Sequence, residues 1–420
     1  MFGPIRLASS AKHAIVCAIP PTPVSVSERR KTPSSVRIVS VPLSPTEFPT
    51  SPQAPTPPEP APEVKVPLSW LLEHAAPPIK YRALTEIAAL PASSAADFEA
   101  MHLAYPPALR LALGHAWDGS GAGGMLAVPT GKQGIEAAGT ILAARRLLEY
   151  GWSRETPPLD RARRFLFRLL AEDEDPAFLY DLAEEYGRND ALISHGRSLL
   201  REAAGAALAQ AGYEADPRLR GAAARAMDRL RDFLFSPLAE NPWVGLGVSR
   251  ALNEDAAPPS MHLLVMLAHM PVFRLEHHDT MEELFAYLSR PMPKWESRQH
   301  VGEEFVSTPQ LMLGDPIPHK PAMGADLPGA LLWLETMARL GFLQRHEAWS
   351  KLLDRFLDER DRHGVWRGGR AGSVPPAPDQ ASVWPVYPLE ATQEEETRWT
   401  DITFRLALIA VQAGRPLEIG

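Results

Sequence analysis

Ala211-Gly212-Tyr213-Glu214-Ala215-Asp216-Pro217-Arg218-Leu219 is the stretch on which the fold turns. Before it, residues 192–211 form an apolar, helix-period run that ends without charge. After it, arginines alternate with Leu and Ala, as on an amphipathic helix. Gly212 stands where a helix ends, because glycine takes the left-handed conformation of a C-terminal cap without strain. Asp216-Pro217 opens the next helix, where the missing amide of proline costs nothing. The stretch therefore joins two helices by a short polar turn.

The same joint recurs at Tyr150-Gly151-Trp152, Met270-Pro271, Leu340-Gly341-Phe342 and Ala413-Gly414, at intervals of 58 to 73 residues. On the N-terminal side of each lies a nearly uncharged helix, such as 132–149. On the C-terminal side lies a helix with one apolar stripe and one charged face, such as 159–171 or the one starting near Glu347. A helix apolar all round packs on several sides, whereas an amphipathic one packs on one side and faces water on the other. A helical hairpin recurring at this period implies a repeat architecture in which each unit buries its face against its neighbours. The expected class is all-α, with sheet content close to nil. Upstream, Ser69 is placed to cap a helix over 70–74, and Pro77-Pro78 to open another. Together they form a leading hairpin within 67–104.

Residues 1–66 hold fourteen of the 43 prolines. Their density blocks helix and sheet interior, so a disordered Pro-rich tail over 1–66 and a folded domain over 67–420 are expected. The tail carries seven Lys/Arg against four Asp/Glu. It contributes about +3 of the formal net charge of -8 and leaves the remainder near -11. Such an acidic body is poorly suited to phosphate backbones, and nucleic acid is not an expected partner. Cys17, the one cysteine, excludes an internal disulfide and any closed thiolate zinc site. No apolar run is long enough to span a bilayer, so a cytoplasmic location is expected. The alternative is lipid anchoring through Cys17.

Two motifs go further. Asp216-Pro217 looks like the start of an outer helix in toroid repeats. Phe356-Leu357 followed by His363-Gly364-Val365-Trp366 resembles the Gly-x-Trp end of the squalene-cyclase repeat. Over residues 67–416 the chain resembles the α/α-toroid family of squalene cyclases and protein prenyltransferase β-subunits, specifically an uncharacterised bacterial branch. The resemblance implies about five to six hairpins, with inner helices lining a central cavity and outer helices around them. The Trp of the motif then packs over its hairpin end as a stabilising element. Other repeat ends depart from the motif, at Glu172-Asp173-Glu174-Asp175-Pro176 and Glu240-Asn241-Pro242-Trp243.

The family's chemistry is mostly missing. Its bacterial cyclases protonate an alkene with an Asp-x-Asp-Asp acid, and no such motif occurs. Its prenyltransferases hold zinc with at least one Cys, which the folded part lacks. His277, His278 and Glu282, with Asp279 and Glu283 beside them, form a weak metal candidate. Asp279 reads equally as a helix cap. Gly131-Lys132-Gln133-Gly134 lacks both the preceding strand and the ending of a phosphate loop. The resemblance points the N-termini of inner helices to one rim. His195, His262, His269, Asp326, Trp333, Trp399 and Asp401 are therefore the candidate ligand-cavity set. Each His also fits a hydrogen-bonded core residue, and each Asp a cap. The leading expectation is a toroid without the known catalytic acid or zinc, needing no cofactor and binding a small hydrophobic or peptide ligand in its cavity. The alternatives are a terpene-cyclase or prenyl-transfer enzyme with unrecognised residues, and a protein-interaction scaffold.

Overall fold

The computed structural model describes residues 63–117, 125–126, 138–170, 189–246, 249–294, 297–317, 326–367, 388–390, 394 and 397–420. These are mostly helical. In chain order the helices are α1 (Leu68–His74), α2 (Pro77–Arg82, continued by a π turn over Ala83–Ile87), α3 (Ala96–Leu103) and α4 (Pro106–Gly114). Next come α5 (Thr140–Glu149), α6 (Pro157–Leu169), α7 (Asp190–Gln210), α8 (Pro217–Leu234) and α9 (Met261–Ala268). The last are α10 (Pro271–Glu276), α11 (His278–Leu288), α12 (Leu327–Leu340), α13 (Glu347–Asp358) and α14 (Thr400–Gln412).

The four glycine joints are real and alike. Gly151, Gly212, Gly341 and Gly414 take φ of 82, 80, 77 and 64°. At each, the residue after the glycine donates its amide five residues back, as in Trp152 to Leu147, Tyr213 to Leu208, Phe342 to Met337 and Arg415 to Ala410. This is the Schellman closure of a helix end. Met270-Pro271 ends its helix differently: Pro271 has no amide to donate, so it cannot continue α9 and starts α10 instead. Asp216 caps α8 through the amide of Arg218, as its position before Pro217 implies.

The helices fall into two kinds, as their patterns require. Every residue of α9 is buried, as is every residue of α14 from Thr400 to Ala410. In α13 only the stripe Trp349, Leu353, Phe356 and Leu357 is buried. The multiply packed helices contact one another in succession: α5 with α7, α7 with α9, α9 with α12, and α12 with α14. α14 then packs on α2, and Arg82 of α2 bonds Glu149 at the end of α5, returning the circuit to its start. The amphipathic helices cover them through aromatic edges. Trp333 meets Trp349 at 5.7 Å between α12 and α13, while Phe233 and Tyr287, 5.5 Å apart, join the amphipathic helices α8 and α11 to each other.

Several sequence expectations need correction. The folded domain begins before residue 67, because β1 (Val64–Val66) pairs in parallel with β6 (Leu417–Ile419) and ties the two ends of this unit together. Residues 1–62 lie outside the described residues. Ser69 caps nothing: α1 starts at Leu68, with Pro67 at the cap position. The helix expected over 132–149 is described only from Thr140 onward. Nor is sheet absent. β2 (Trp243–Leu246), β3 (Ser249–Leu252), β4 (Arg298–Val301) and β5 (Glu304–Ser307) form one sheet in that order. The β4–β5 hairpin has a two-residue connection that begins with glycine, Gly302-Glu303. The strands are short and β4 and β5 are largely polar, so their period-2 signal is faint.

Gly364 holds β1 in place. Its φ is 88°, and a Cβ there would lie 2.9 Å from the Lys65 carbonyl oxygen. That carbonyl also accepts from Arg360 Nη1 at 2.6 Å. Gly364→Ala is expected to cost about 1–3 kcal/mol, measured by chemical denaturation, and to expose the Lys65 amide region to hydrogen exchange first. An unchanged midpoint would remove β1 from the stabilising contacts.

Candidate functional site

The multiply packed helices carry charge where a ligand cavity was expected. Arg82 is buried and its guanidinium bridges two carboxylates. Nε meets Glu86 Oε1 at 2.5 Å, and Nη1 meets Glu149 Oε2 at 2.8 Å. The same Nη1 donates to the Glu149 carbonyl at 3.1 Å, closing the C-terminus of α5. Gln210, the last residue of α7, donates to Glu149 Oε1 at 2.9 Å and accepts from Arg145 Nε at 3.2 Å. From α14, fully buried Arg405 places Nη1 3.6 Å from Glu149 Oε2 and donates through Nε to Asp401 at 2.9 Å. From α12, Arg339 pairs with Glu335 at 3.1 Å one turn earlier. Four helices thus contribute ions, the neutral Gln210 of α7 bridges two of them, and the Arg339–Glu335 pair faces the same void.

The network fixes its own protonation states. Burial pushes the Glu149 carboxyl up, but Arg82, Arg405 and Arg339 together outweigh it and hold the group down at about 2. Burial lowers Arg145, opposed by Glu149 and Glu335. His269, at the end of α9, is driven well below its ordinary value, first by burial and then by Arg339. It is therefore a neutral imidazole beside the cluster.

Among the described residues, little space remains between these groups. Arg145, Glu149, Gln210, Val265, His269, Glu335, Thr336 and Arg339 are among the residues lining a void of about 20 Å³. That holds roughly one water. Glu335 Oε2 is buried and has no hydrogen-bond partner among the described residues, so the acceptor for such a water is present.

The candidate residues sit on or beside four elements, α7, α9, α12 and α14. His269 lines the void. His262 is buried seven residues earlier at the other end of α9, pushed down to about 3 by burial and by Arg145. His195 is half-buried in the second turn of α7, and burial lowers its pKa. Asp326 is exposed at the start of α12 and makes no capping bond. Trp333 is buried against Trp349, and Trp399 against Trp366 at 5.4 Å. Asp401 is buried and committed to Arg405 and to the Leu389 amide, at 2.9 and 3.2 Å. Neither aspartate acts as a cap.

The weak metal candidate is dispersed. His277 tilts against Phe273 at 4.4 Å, His278 is exposed, and Glu282 is engaged by Arg345 at 2.5 and 2.8 Å. Asp279 lies inside the first turn of α11, whose cap position belongs to His277, so it is not a cap either. Among the described residues no group of His, Cys, Asp and Glu is placed to hold a metal. Residues 131–134 and 172–176 lie outside the described residues. No described helix is long and apolar enough to cross a membrane.

Two other features are present. A groove of about 460 Å³ is lined by His115, Trp117, Arg161, Arg164, Phe165 and Arg168, with Arg164 paired to Asp160 at 2.9 Å. Glu390, in the segment before α14, accepts from the Ala76 amide at 2.9 Å and from Thr400 Oγ1 at 2.5 Å.

Sequence reasoning missed the ion network, although a signal existed. Glu335/Arg339 and Asp401/Arg405 are acid–base pairs four residues apart in otherwise apolar helices, where a charge survives only with a partner. Comparison with protein-family models, with curated proteins and with solved structures finds no match for the chain.

Proposed function

We propose that this chain is an α/α toroid with its centre closed by ions, and that it serves as a non-catalytic binding scaffold. The toroid reading rests on the closed circuit of contacts from α5 through α7, α9, α12, α14 and α2. It is supported by the repeated glycine joints and by the pairing of β1 with β6. In this reading α2, α5, α7, α9, α12 and α14 are the inner helices, while α6, α8, α11 and α13 lie outside.

The observation that carries the scaffold reading is the size of the void among these ions, about 20 Å³ between the described residues. Sites for organic ligands span roughly 300–1,000 Å³ and are mostly apolar. Admitting a polyprenyl chain or peptide requires breaking ion pairs that are already desolvated, at a cost of several kcal/mol each. The cluster is also unsuited to protonating an alkene, since Glu149 is a carboxylate held ionised by arginines. A general acid needs the opposite environment. Recognition then falls to the outer helices and the connections between them.

Native mass spectrometry of the purified chain is expected to give the bare polypeptide mass. Incubation with squalene or prenyl diphosphates is expected to give no product. A stoichiometric lipid retained by the wild type and lost in Gln210→Leu would place a ligand at the centre and sink the reading. Cyclised or prenylated product would do so as well.

A further inference from the structure

The segment Pro388–Glu390 is stitched to three helices by contacts that no stability argument so far has used. The Pro388 carbonyl accepts from Arg146 Nη2 of α5 at 2.6 Å, and the Leu389 carbonyl from the Tyr105 hydroxyl at 3.4 Å. The Leu389 amide donates to Asp401 of α14 at 3.2 Å, and the Leu389 side chain is fully buried. Glu390 Oε1 takes the Ala76 amide, at the start of α2, and the Thr400 hydroxyl.

We propose that Glu390 makes this segment a protonation-controlled clasp, seated across α2, α5 and α14 while its carboxyl keeps a proton and released when it ionises. The reason is the charge that faces it. α14 presents the Asp401 carboxylate, whose compensating cation Arg405 lies on its far bond, on Oδ1. α2 presents Lys80, which is half-buried and bonded to the Glu73 carbonyl at 3.1 Å. Arg146 of α5 is spent on the Pro388 carbonyl. An ionised Glu390 therefore sits partly desolvated beside a like charge, opposed by Lys80 and by the bonds from Thr400 and Ala76.

Burial first, and Asp401 after it, raise the Glu390 carboxyl to about 7 against the bonds from Thr400 and Ala76 and the pull of Lys80. A carboxyl raised on seating stabilises the seated state fully only below its free value near 4.5, and that stabilisation is lost as pH rises through about 7. Between pH 6 and pH 8.5 the opening constant of the segment then rises about tenfold.

Hydrogen exchange by mass spectrometry on the full chain tests this, read on peptides covering 388–390 and corrected for intrinsic rates. Peptides of α13 report any global opening. The expected result is a loss of protection of about tenfold from pH 6 to pH 8.5, confined to the clasp and the start of α2. It should be absent in Glu390→Gln, which keeps the acceptor and cannot ionise. Lys80→Met should enlarge the loss and carry it to higher pH, since removing the cation raises the carboxyl further in the seated state only. Release in Glu390→Gln with the wild-type pH dependence overturns the proposal. So does a wild-type segment whose protection is flat across this range, whichever way the variants fold.

Discussion

Glu149→Gln is expected to lower unfolding free energy by about 3–5 kcal/mol, the cost of removing one partner from a buried ion pair. The substitution keeps the shape of the side chain and one carbonyl acceptor, so packing changes little. What it removes is the charge that compensates Arg82 and Arg405, both buried and both reaching Glu149 Oε2. Glu86→Gln is the matching control. It also removes a carboxylate from Arg82, but this carboxylate is 35% exposed and water can replace it. Its expected cost is under about 1 kcal/mol. Equal losses in the two variants would mean that the centre is wet, and that the closed-centre reading is wrong.

The same group predicts a pH dependence. Glu149 is depressed from 4.5 to about 2, so its contribution is present above pH 4.5 and fades as pH falls toward 2. The full span corresponds to about 3 kcal/mol. In Glu149→Gln the acid limb of the stability profile should flatten by a comparable amount. Glu390 acts in the opposite window, above neutrality, so the two titrations can be separated in one pH series.

Much of the fold is legible in the sequence because helix ends are local. The glycines at 151, 212, 341 and 414 need only their own backbone conformation to be read, and Asp216-Pro217 carries its own cap. The contrast between α9 and α13 is equally local, since burial on all sides and burial on one side leave different patterns along one helix. The sheet was not legible. β3 pairs in parallel with β4 across more than forty residues of intervening chain, a partnership that no short window contains.

The site divides along the same line. Which residues carry charge inside apolar helices can be read directly. That Arg82, Glu149, Gln210 and Arg405 meet is a product of closing the circuit between α2 and α14, which the sequence does not announce. His262 and His269 share a helix face by spacing, yet the ends of α9 place them in different surroundings. The aspartates at 326 and 401 look alike before helices. One is exposed and the other is locked to Arg405, a difference made wholly by their neighbours.

Trp366→Ala is expected to cost about 3–5 kcal/mol, the usual range for emptying a fully buried tryptophan site. The indole of Trp366, which follows Gly364-Val365, is fully buried. It packs edge-on against Trp399, the residue before α14, and its own amide donates to Thr403 within that helix at 3.1 Å. Arg360 pairs with it across an isolated bridge, and Arg360 also reaches the Lys65 carbonyl of β1. Truncation therefore removes the wedge where α13, α14 and the terminal strand pair meet. The effect should be regional. Thermal denaturation of Trp366→Ala should show hydrogen exchange rising first in β1, β6 and α14, with α7 and α8 following only at global unfolding. Trp366→Phe should recover about half of the loss, since it retains an edge-on ring but less buried area. A uniform rise across all helices would make Trp366 an ordinary core residue. A loss below about 1 kcal/mol would show that the end of the circuit is held without it.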